Sequence, residues 1–347
     1  MSAKSEYIWP AITIAAAAAG GWVVSLSGIP LGWMVGAMLC TIAMSVLKLP
    51  VHPPNRAMPY VKASVGTMLG ASVTLGVLTS LLTWWPSFLF MAAVMIAGGI
   101  CNFHLMRRAF AFGRAEAALC AVPGGITEMI LLSEITGGEQ WRVAIVHALR
   151  IALAILIIPV LIGLIADAEI VRANVATQAE FVVSDWAWFG FCILAGVVTD
   201  RFKSFPAGLI LVPLALCAVL HLIGVANFSV PAQISNLLQI FIGINVGARF
   251  IGVAPKLLLQ VGLAALAVVM VQISLAFGSA LIAAEYLGAD PLALTLAYAP
   301  GGLAEMSLIA VAVGQDIAIV GFHHIARVLG ALFAGPIILK FTGQDKA

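Results

Sequence analysis

The sequence predicts an all-α membrane protein made of two related halves, and three observations lead to this class. Of the 347 residues, 63% are hydrophobic and only 9% are charged, whereas soluble domains carry about 25% charged residues. Apolar stretches of about 20 residues, the length that crosses a hydrocarbon core, recur between residues 8 and 341. A nine-residue motif also occurs twice. The bilayer is therefore the predicted solvent, and its lack of hydrogen-bonding groups requires helices.

Charge and cysteine content argue against several other classes of protein. The net charge is +2 and no run of Lys or Arg occurs, so nucleic acid is not an expected partner. The five cysteines lie in apolar segments without paired spacing, and they are expected to act as small hydrophobes. The ionisable residues do not assemble a metal-ligand set, so no metal, no cofactor and no enzymatic activity are expected.

A repeat divides the chain into two halves. The run AVPGGITEM at residues 121–129 recurs as YAPGGLAEM at residues 298–306, which is 177 residues later. The same offset relates Gly66 to Gly243, Gly70 to Gly247, His147 to His324, Arg150 to Arg327 and Pro159 to Pro336. Because one register holds over this distance, we interpret the chain as two membrane repeats, residues 1–175 and 176–347.

Each repeat is predicted to contain four helices, a shorter element that bears the motif, and a final helix. In the first repeat the helices are expected at about 8–27, 30–48, 59–81, 86–106 and 142–166, with the motif element at 113–137. In the second repeat they are expected at about 184–200, 206–224, 232–252, 256–285 and 317–341, with the motif element at 291–314.

The 17 Lys and Arg residues favour opposite orientations of the two repeats. If both motif elements cross the membrane, ten of these residues lie inside and five outside, whereas re-entrant elements put 14 inside and one outside. Because cytoplasmic loops carry the excess of Lys and Arg, ten spanning helices, two re-entrant elements and two cytoplasmic termini are predicted. The stretch from Arg114 to Pro123 forms about 14 Å of helix, which reaches the middle of a core about 30 Å thick. A tilted, broken spanning helix is the alternative.

The motif itself predicts a helix break. Proline removes a helical hydrogen bond, and two glycines allow close approach of the backbone. At membrane depth an open backbone is tolerated only inside protein or beside a wet cavity, and such breaks at repeat interfaces bind substrates and coupling ions. A kink that eases helix packing is the alternative. The predicted binding site is formed by Pro123, Gly124 and Gly125 together with Pro300, Gly301 and Gly302.

Glu128 and Glu305 follow the two breaks at the same position. An ionisable residue within a span is costly and usually functional, so both, with Thr127, are assigned to the binding site, and at least one of the two glutamates is expected to couple transport to H⁺ or Na⁺. Alternatively, each glutamate caps the helix that follows, where the helix dipole favours a carboxylate. Ala304 replaces Thr127 in the second repeat, so the two half-sites are not expected to be equivalent.

Further ionisable residues lie within the final helix of each repeat, and they are expected to relay charge or protons inside the membrane. They are His147, Arg150, His324 and Arg327, with His323 as a third imidazole in the second repeat only. Two alternatives remain open. The histidines are satisfied core residues, or the arginines form the ion pairs Glu128–Arg150 and Glu305–Arg327.

Two GxxxG motifs, at residues 66–70 and 243–247, are typical of helices in close contact. Their four glycines are therefore assigned to helix packing. Lys62 and Gln239 precede these motifs at matched positions, and they are candidates for the lining of an aqueous path.

Two copies of P-G-G-x-x-E-M, each with a downstream H-x-x-R and an upstream G-x-x-x-G, resemble the AbrB-type bacterial inner-membrane proteins. The resemblance covers nearly the whole chain and implies a multi-pass protein of the bacterial inner membrane. The duplicated architecture is similar to that of inverted-repeat secondary transporters. Members of this family carry the labels regulator of gene expression and ammonia monooxygenase, which these residues do not support.

A secondary transporter of a small solute is the first functional interpretation, with the site at the repeat interface. Opposed helix N-termini favour a small organic anion, whereas the two glutamates favour a cation or a proton. A membrane sensor that regulates gene expression is the second interpretation, although it needs a cytoplasmic output surface and the predicted inside loops are short. A membrane monooxygenase and a channel come last. The expected partners are the solute, a coupling ion and the lipid bilayer, and a homodimer is left open.

Overall fold

The computed structural model describes residues 3–122, 126–165, 181–201 and 208–342, and every regular element within these ranges is a helix. The predicted all-α class is confirmed. Long apolar runs form helices because a helix pairs all its interior backbone groups within one segment, which lipid cannot do for them.

Eight helices are described in the first repeat, and the motif element is divided between two of them. They are α1 Ala3–Ser25, α2 Gly32–Val46, α3 Met58–Ala71, α4 Leu75–Leu81, α5 Trp85–Ala109, α6 Arg114–Ala121, α7 Ile126–Thr136 and α8 Gln140–Ile165.

The described part of the second repeat contains seven α-helices, and its motif element is divided in the same way. They are α9 Val183–Asp200, α10 Gly208–Leu222, α11 Ala232–Gly247, α12 Pro255–Leu287, α13 Pro291–Tyr298, α14 Leu303–Ala312 and α15 Ile317–Thr342. A 3-10 turn at Ala248–Phe250 follows α11.

Several helices have the length and composition of membrane spans. Among the described residues, four apolar helical segments are long enough to cross a bilayer, namely Ile8–Ser25, Trp85–Ala109, Gln140–Gly163 and Pro255–Leu287. The pair α3 and α4 passes the same criterion as one bent segment. A multi-pass membrane protein fits these helices, while the predicted number of ten spans and the cytoplasmic position of both termini stay predictions.

The side chains of α12 differ in exposure around the helix. Leu259 is 82% exposed and Leu263 is 66% exposed, whereas Ala264 and Ala276 on the same helix are fully buried. Val268 and Ile273 are buried as well, so one side of α12 packs inside the protein while the other side exposes large apolar side chains. An exposed apolar surface of this kind fits a bilayer, where lipid covers it.

The predicted continuous helix at 59–81 is wrong. The chain breaks between α3 and α4, which meet at a bend of 90°. Thr74 is extended, with φ −112° and ψ 169°, and its Oγ1 accepts a hydrogen bond from the backbone N–H of Val77 as the N-cap of α4. Ser72 Oγ donates to the carbonyl of Leu69. Serine and threonine hydroxyls favour such caps over helix interiors, a local competition that hydropathy alone does not register.

The chain folds into two compact units, and each unit takes segments from both repeats. The first unit consists of Met1–Thr83, Pro159–Ile251 and Ala304–Gly321. The second unit consists of Trp84–Ile158, Gly252–Leu303 and Phe322–Ala347. Each repeat therefore contributes segments to both units.

In the first unit, the GxxxG helix of each repeat packs on the second helix of the other repeat. On α3, Gly66 faces the carbonyl oxygen of Ile210 in α10. On α11, Gly243 faces the carbonyl oxygen of Met34 in α2. Met34 and Ile210 occupy equivalent places in the two repeats, at an offset of 176 residues. The glycines make two reciprocal seams, each of which joins one repeat to the other.

Gly243→Ala is expected to lower the free energy of unfolding by about 1–3 kcal/mol, because an added methyl overfills a tight contact. A Cβ at this position lies 2.6 Å from the Met34 carbonyl oxygen, and a backbone atom cannot move aside alone. Denaturation in detergent checks this result. The control is Gly262→Ala in α12, where nothing lies within 4 Å and alanine raises helix stability by up to about 1 kcal/mol. Equal effects of the two substitutions would contradict a close contact between α11 and α2 at Gly243.

Candidate functional site

The second motif element contains a helix break at the predicted position. The helix α13 ends at Tyr298, and α14 begins at Leu303. Ala299 is extended, with φ −61° and ψ 148°, as expected for a residue that precedes proline. Pro300, Gly301 and Gly302 therefore lie in the break.

The first motif element has the same helix boundaries. The helix α6 ends at Ala121 and α7 begins at Ile126, and Val122 is extended like its counterpart Ala299. Pro123, Gly124 and Gly125 lie outside the described residues. The side chains of Thr127 and Glu128 are also outside them, so the roles assigned to these five residues stay predictions.

Both elements also end in the same way. Gly137 after α7 and Gly314 after α14 have φ values of 73° and 66°. In each case the next N–H bonds to a carbonyl five residues back, from Gly138 to Ser133 and from Gln315 to Ala310. This is the Schellman arrangement, in which a left-handed glycine closes a helix.

An arginine of the final helix holds the backbone at each break. Arg150 Nη1 donates to the carbonyl of Val122 at 3.2 Å, and Arg327 Nη1 donates to the equivalent carbonyl of Ala299 at 2.6 Å. Arg327 Nη2 also donates to the carbonyl of Gly301. Carbonyls at a helix C-terminus lack partners within the helix. The guanidinium supplies those partners, and both arginines are buried, with 5% and 6% of their surface exposed.

A histidine of the same helix holds the turn before each break. His147 Nε2 lies 3.1 Å from the carbonyl of Leu119, and His324 Nε2 lies 3.0 Å from the carbonyl of Leu296. Both imidazoles are fully buried. A carbonyl accepts only, so Nε2 of each histidine carries a proton. The H-x-x-R motif thus has a structural role at both breaks. Its role in charge or proton relay stays a prediction.

Glu305 lies in the first turn of α14 with only 8% of its surface exposed. Within the first unit, it interacts electrostatically with Arg249, which follows α11. Among the described residues, Nη1 of Arg249 is buried without a hydrogen-bond partner. Sequence reasoning missed Arg249, although the first repeat has Ser72 in the same register. The predicted ion pairs Glu128–Arg150 and Glu305–Arg327 stay predictions.

Glu116 joins the two ends of the first motif element. Its Oε2 accepts from the backbone N–H of Gly113 at 3.1 Å, and its Oε1 accepts from the backbone N–H of Glu139 at 3.1 Å. Arg142 Nη1 lies 3.3 Å from the same carboxylate. One side chain therefore bridges the residue before α6 and the residue before α8. The two ends of the first motif element therefore lie next to each other, at the carboxylate of Glu116.

The candidates for an aqueous path are not equivalent. Lys62 is exposed near the start of α3, whereas Gln239 is buried in α11 with 4% exposure. Gln239 Nε2 donates to Asn236 Oδ1 at 3.5 Å. Lys62 and Gln239 therefore differ in burial, although they occupy equivalent positions in the two repeats.

A small cavity lies beside the second break, within the second unit. It has a volume of about 30 Å³ and is lined by Val94, Met95, Gly98, Gln272, Tyr298, Pro300 and Arg327. Among the described residues, Gln272 Oε1 is buried without a hydrogen-bond partner. A site of this volume holds a water molecule when polar partners are present. The cavity brings polar groups together at the predicted binding backbone of Pro300.

Comparisons with known proteins agree with the motifs. The profile of the family described as "Transition state regulatory protein AbrB" matches residues 33–343. The chain is 27% identical over 348 residues to "Uncharacterized protein YhjN" of Bacillus subtilis (strain 168), covering 91% of this chain and 88% of that protein. It is 24% identical over 322 residues to "Putative regulator AbrB" of Escherichia coli (strain K12), covering 90% of each.

Proposed function

This chain belongs to the AbrB family, and we propose that it is a secondary transporter that moves a small solute across the bacterial inner membrane. Transport is driven by a proton or sodium gradient, and the solute is a small organic anion. The observation that carries this function is the second broken helix, where the buried guanidinium of Arg327 bonds two backbone carbonyls beside a small cavity that is also lined by Gln272 and Tyr298. No covalent chemistry is assigned to the protein.

The energetic cost of this arrangement supports transport. A charged side chain within the apolar core is costly, and such residues usually mark a substrate or ion pathway. A broken helix is tolerated at membrane depth where it lines a cavity, which is how transporters build their binding sites. Arg327 and the N-terminus of α14 both favour negative charge near Pro300, which suits a small anion, whereas Glu305 one turn further suits a cation. The anion is therefore the first solute class to test.

The two repeats are proposed to be inverted, with both motif elements re-entrant and both termini cytoplasmic. The bridge that Glu116 makes between the two ends of the first element supports the re-entrant form. Labelling of a single cysteine placed within residues 200–205 checks this arrangement. Accessibility from the cytoplasmic side is expected, and accessibility from the periplasm would require another topology.

A regulatory role is the second candidate, because the Escherichia coli relative is named as a regulator. Such a role needs a surface on the cytoplasmic side that changes with the state of the membrane part. It predicts altered transcription in cells that lack the protein, without any solute movement by the purified protein.

Transport is tested with the full chain in liposomes and a panel of radiolabelled solutes. The panel contains succinate, glutamate, gluconate, alanine and ammonium, each with and without a pH or sodium gradient. We expect accumulation of at least one organic anion under a gradient, and none in protein-free liposomes. A preparation that moves no solute while gene expression depends on the protein would favour the regulatory role.

A further inference from the structure

A buried chain of three polar side chains lies in the second unit, outside the H-x-x-R arrangement. Ser87 Oγ lies 2.7 Å from the hydroxyl of Tyr298 and 2.7 Å from Nε2 of His323. Ser87 and His323 are fully buried, and Tyr298 is 4% exposed. Hydroxyls both donate and accept, so the three groups form one continuous hydrogen-bonded chain, here called the polar chain.

One end of the polar chain is at the cavity beside the second break. Tyr298 is the last residue of α13 and lines the cavity together with Pro300 and Arg327. Gln272 also lines this cavity, and its Oε1 is buried without a hydrogen-bond partner among the described residues. A water molecule or a polar group of a solute in the cavity would lie next to Tyr298 and would be the acceptor of its proton.

The other end is close to the beginning of α5. The imidazole of His323 stacks on Phe88, with ring centroids 4.3 Å apart, and Trp84 lies at a centroid distance of 6.2 Å. Trp85, the first residue of α5, is 62% exposed. His323 therefore lies within about one helical turn of the first residue of α5. The polar chain joins this place to Tyr298 at the second break.

The first motif element has the same backbone but lacks the polar chain. At the offset of 177 residues, Ala121 replaces Tyr298, Val146 replaces His323, and Ala264 of α12 corresponds to Ser87. All three are buried, and Val146 and Ala264 belong to one apolar cluster. In the first motif element, alkyl side chains thus fill the positions that the polar chain occupies in the second. Buried polar groups cost free energy unless they are bonded, so packing alone does not explain the polar chain.

We propose that His323, Ser87 and Tyr298 form a relay that carries the coupling proton between the α5 end and the cavity at the second break. This inference rests on the proposed transport function and deepens it, because it assigns the coupling ion as a proton and gives its route. Membrane transporters use chains of ionisable side chains in this way. The proposal assigns this route to the second motif element and not to the first.

The transfer balances with three proton hops. His323 begins as an imidazolium, with the coupling proton taken up from the start of α5 and a proton on each ring nitrogen. Its Nε2 proton passes to Ser87 Oγ as Ser87 passes its own proton to the oxygen of Tyr298. Tyr298 releases its own proton to an acceptor in the cavity, and His323 is left neutral with its remaining proton on Nδ1. Rotation of the two hydroxyls, and uptake of the next proton on Nε2 when the imidazole turns towards the start of α5, restore the chain. Within the described part of the chain, His324 and Arg327, on the same helix as His323, are further titratable or charged groups close to this route.

The relay is tested by proton entry into liposomes that contain the full chain. Pyranine inside the liposomes reports pH, valinomycin with potassium sets a negative interior, and a mixture of succinate, glutamate and gluconate is added outside. Tyr298→Phe and Ser87→Ala are expected to slow proton entry by roughly 100-fold, the scale of a positioned proton-transfer group. The matched controls are Tyr286→Phe, at an exposed tyrosine of α12, and Ser133→Ala, at a buried serine that bonds its own helix.

A second measurement separates the relay from a structural role. Exchange of labelled succinate, glutamate or gluconate across the membrane at equal pH needs no net proton movement. Ser87 belongs to the polar chain but is not among the residues that line the cavity, so Ser87→Ala is expected to retain exchange. Proton entry at wild-type rate in Ser87→Ala, loss of exchange in that variant, or no proton entry in the wild type would each overturn the relay. Solute uptake driven by sodium alone also overturns the relay but leaves transport standing, whereas no solute movement of any kind removes both.

Discussion

Arg327→Gln is expected to abolish transport and to lower the free energy of unfolding by about 3–6 kcal/mol, since it removes two bonds from a charged donor and each contributes about 1.5–3 kcal/mol. The guanidinium bonds two carbonyls at the second break, those of Ala299 and Gly301. A glutamine amide is shorter and cannot donate to both, so a carbonyl remains buried without its partner. The break then relaxes, and the cavity that depends on its position is lost.

Unfolding in detergent and solute uptake in liposomes measure the two effects of this substitution. Arg327→Lys keeps the charge but not the planar fork of donors, so it is expected to lose stability as well. The matched control is Arg108→Gln, which removes an exposed arginine at the end of α5 and is expected to change little. If Arg327→Gln unfolds like the wild type, the arginine does not hold the break.

The double substitution Glu128→Gln and Glu305→Gln is expected to abolish gradient-driven uptake and to leave the fold intact. A coupled transporter needs a group that changes its charge or its ion occupancy during the cycle, and an amide does neither. Glutamine keeps the size of glutamate and can still accept a hydrogen bond. If the two residues are only helix caps, the substitutions cost at most about 1 kcal/mol of stability, and uptake continues.

A matched double variant removes two exposed carboxylates, Glu134→Gln in α7 and Glu285→Gln in α12. It changes the net charge by the same amount away from the breaks and is expected to keep wild-type uptake. Of the two single variants, Glu305→Gln is expected to have the larger effect, because Glu305 also interacts electrostatically with Arg249. Wild-type uptake in the double variant of Glu128 and Glu305 would rule out the coupling role.

The sequence predicted the breaks well because their cause is local. Proline and glycine dictate backbone conformation within a few residues, and the second break indeed falls at 299–302. The bend at Thr74 was not predicted, although its cause is also local. Residues 59–81 form an apolar run long enough for one spanning helix, and hydropathy does not detect the N-cap that Thr74 provides. Partners across the chain were not predictable in the same way. The carbonyl of Ala299 as a partner of Arg327, and Ser87 as a partner of Tyr298 and His323, depend on contacts between distant segments.

The sequence by itself determined the class of protein, the repeat and the register of the motif. Composition decides that the surface is apolar, and identical spacing places His147 with His324 and Arg150 with Arg327. Only the tertiary structure decided that each repeat contributes to both units, and that a GxxxG helix of one repeat packs on the other. It also decided that a polar chain accompanies one break, while the other has Ala121, Val146 and Ala264 in those places. Spacing along one chain records local geometry, whereas these contacts are set by how helices far apart in sequence pack together.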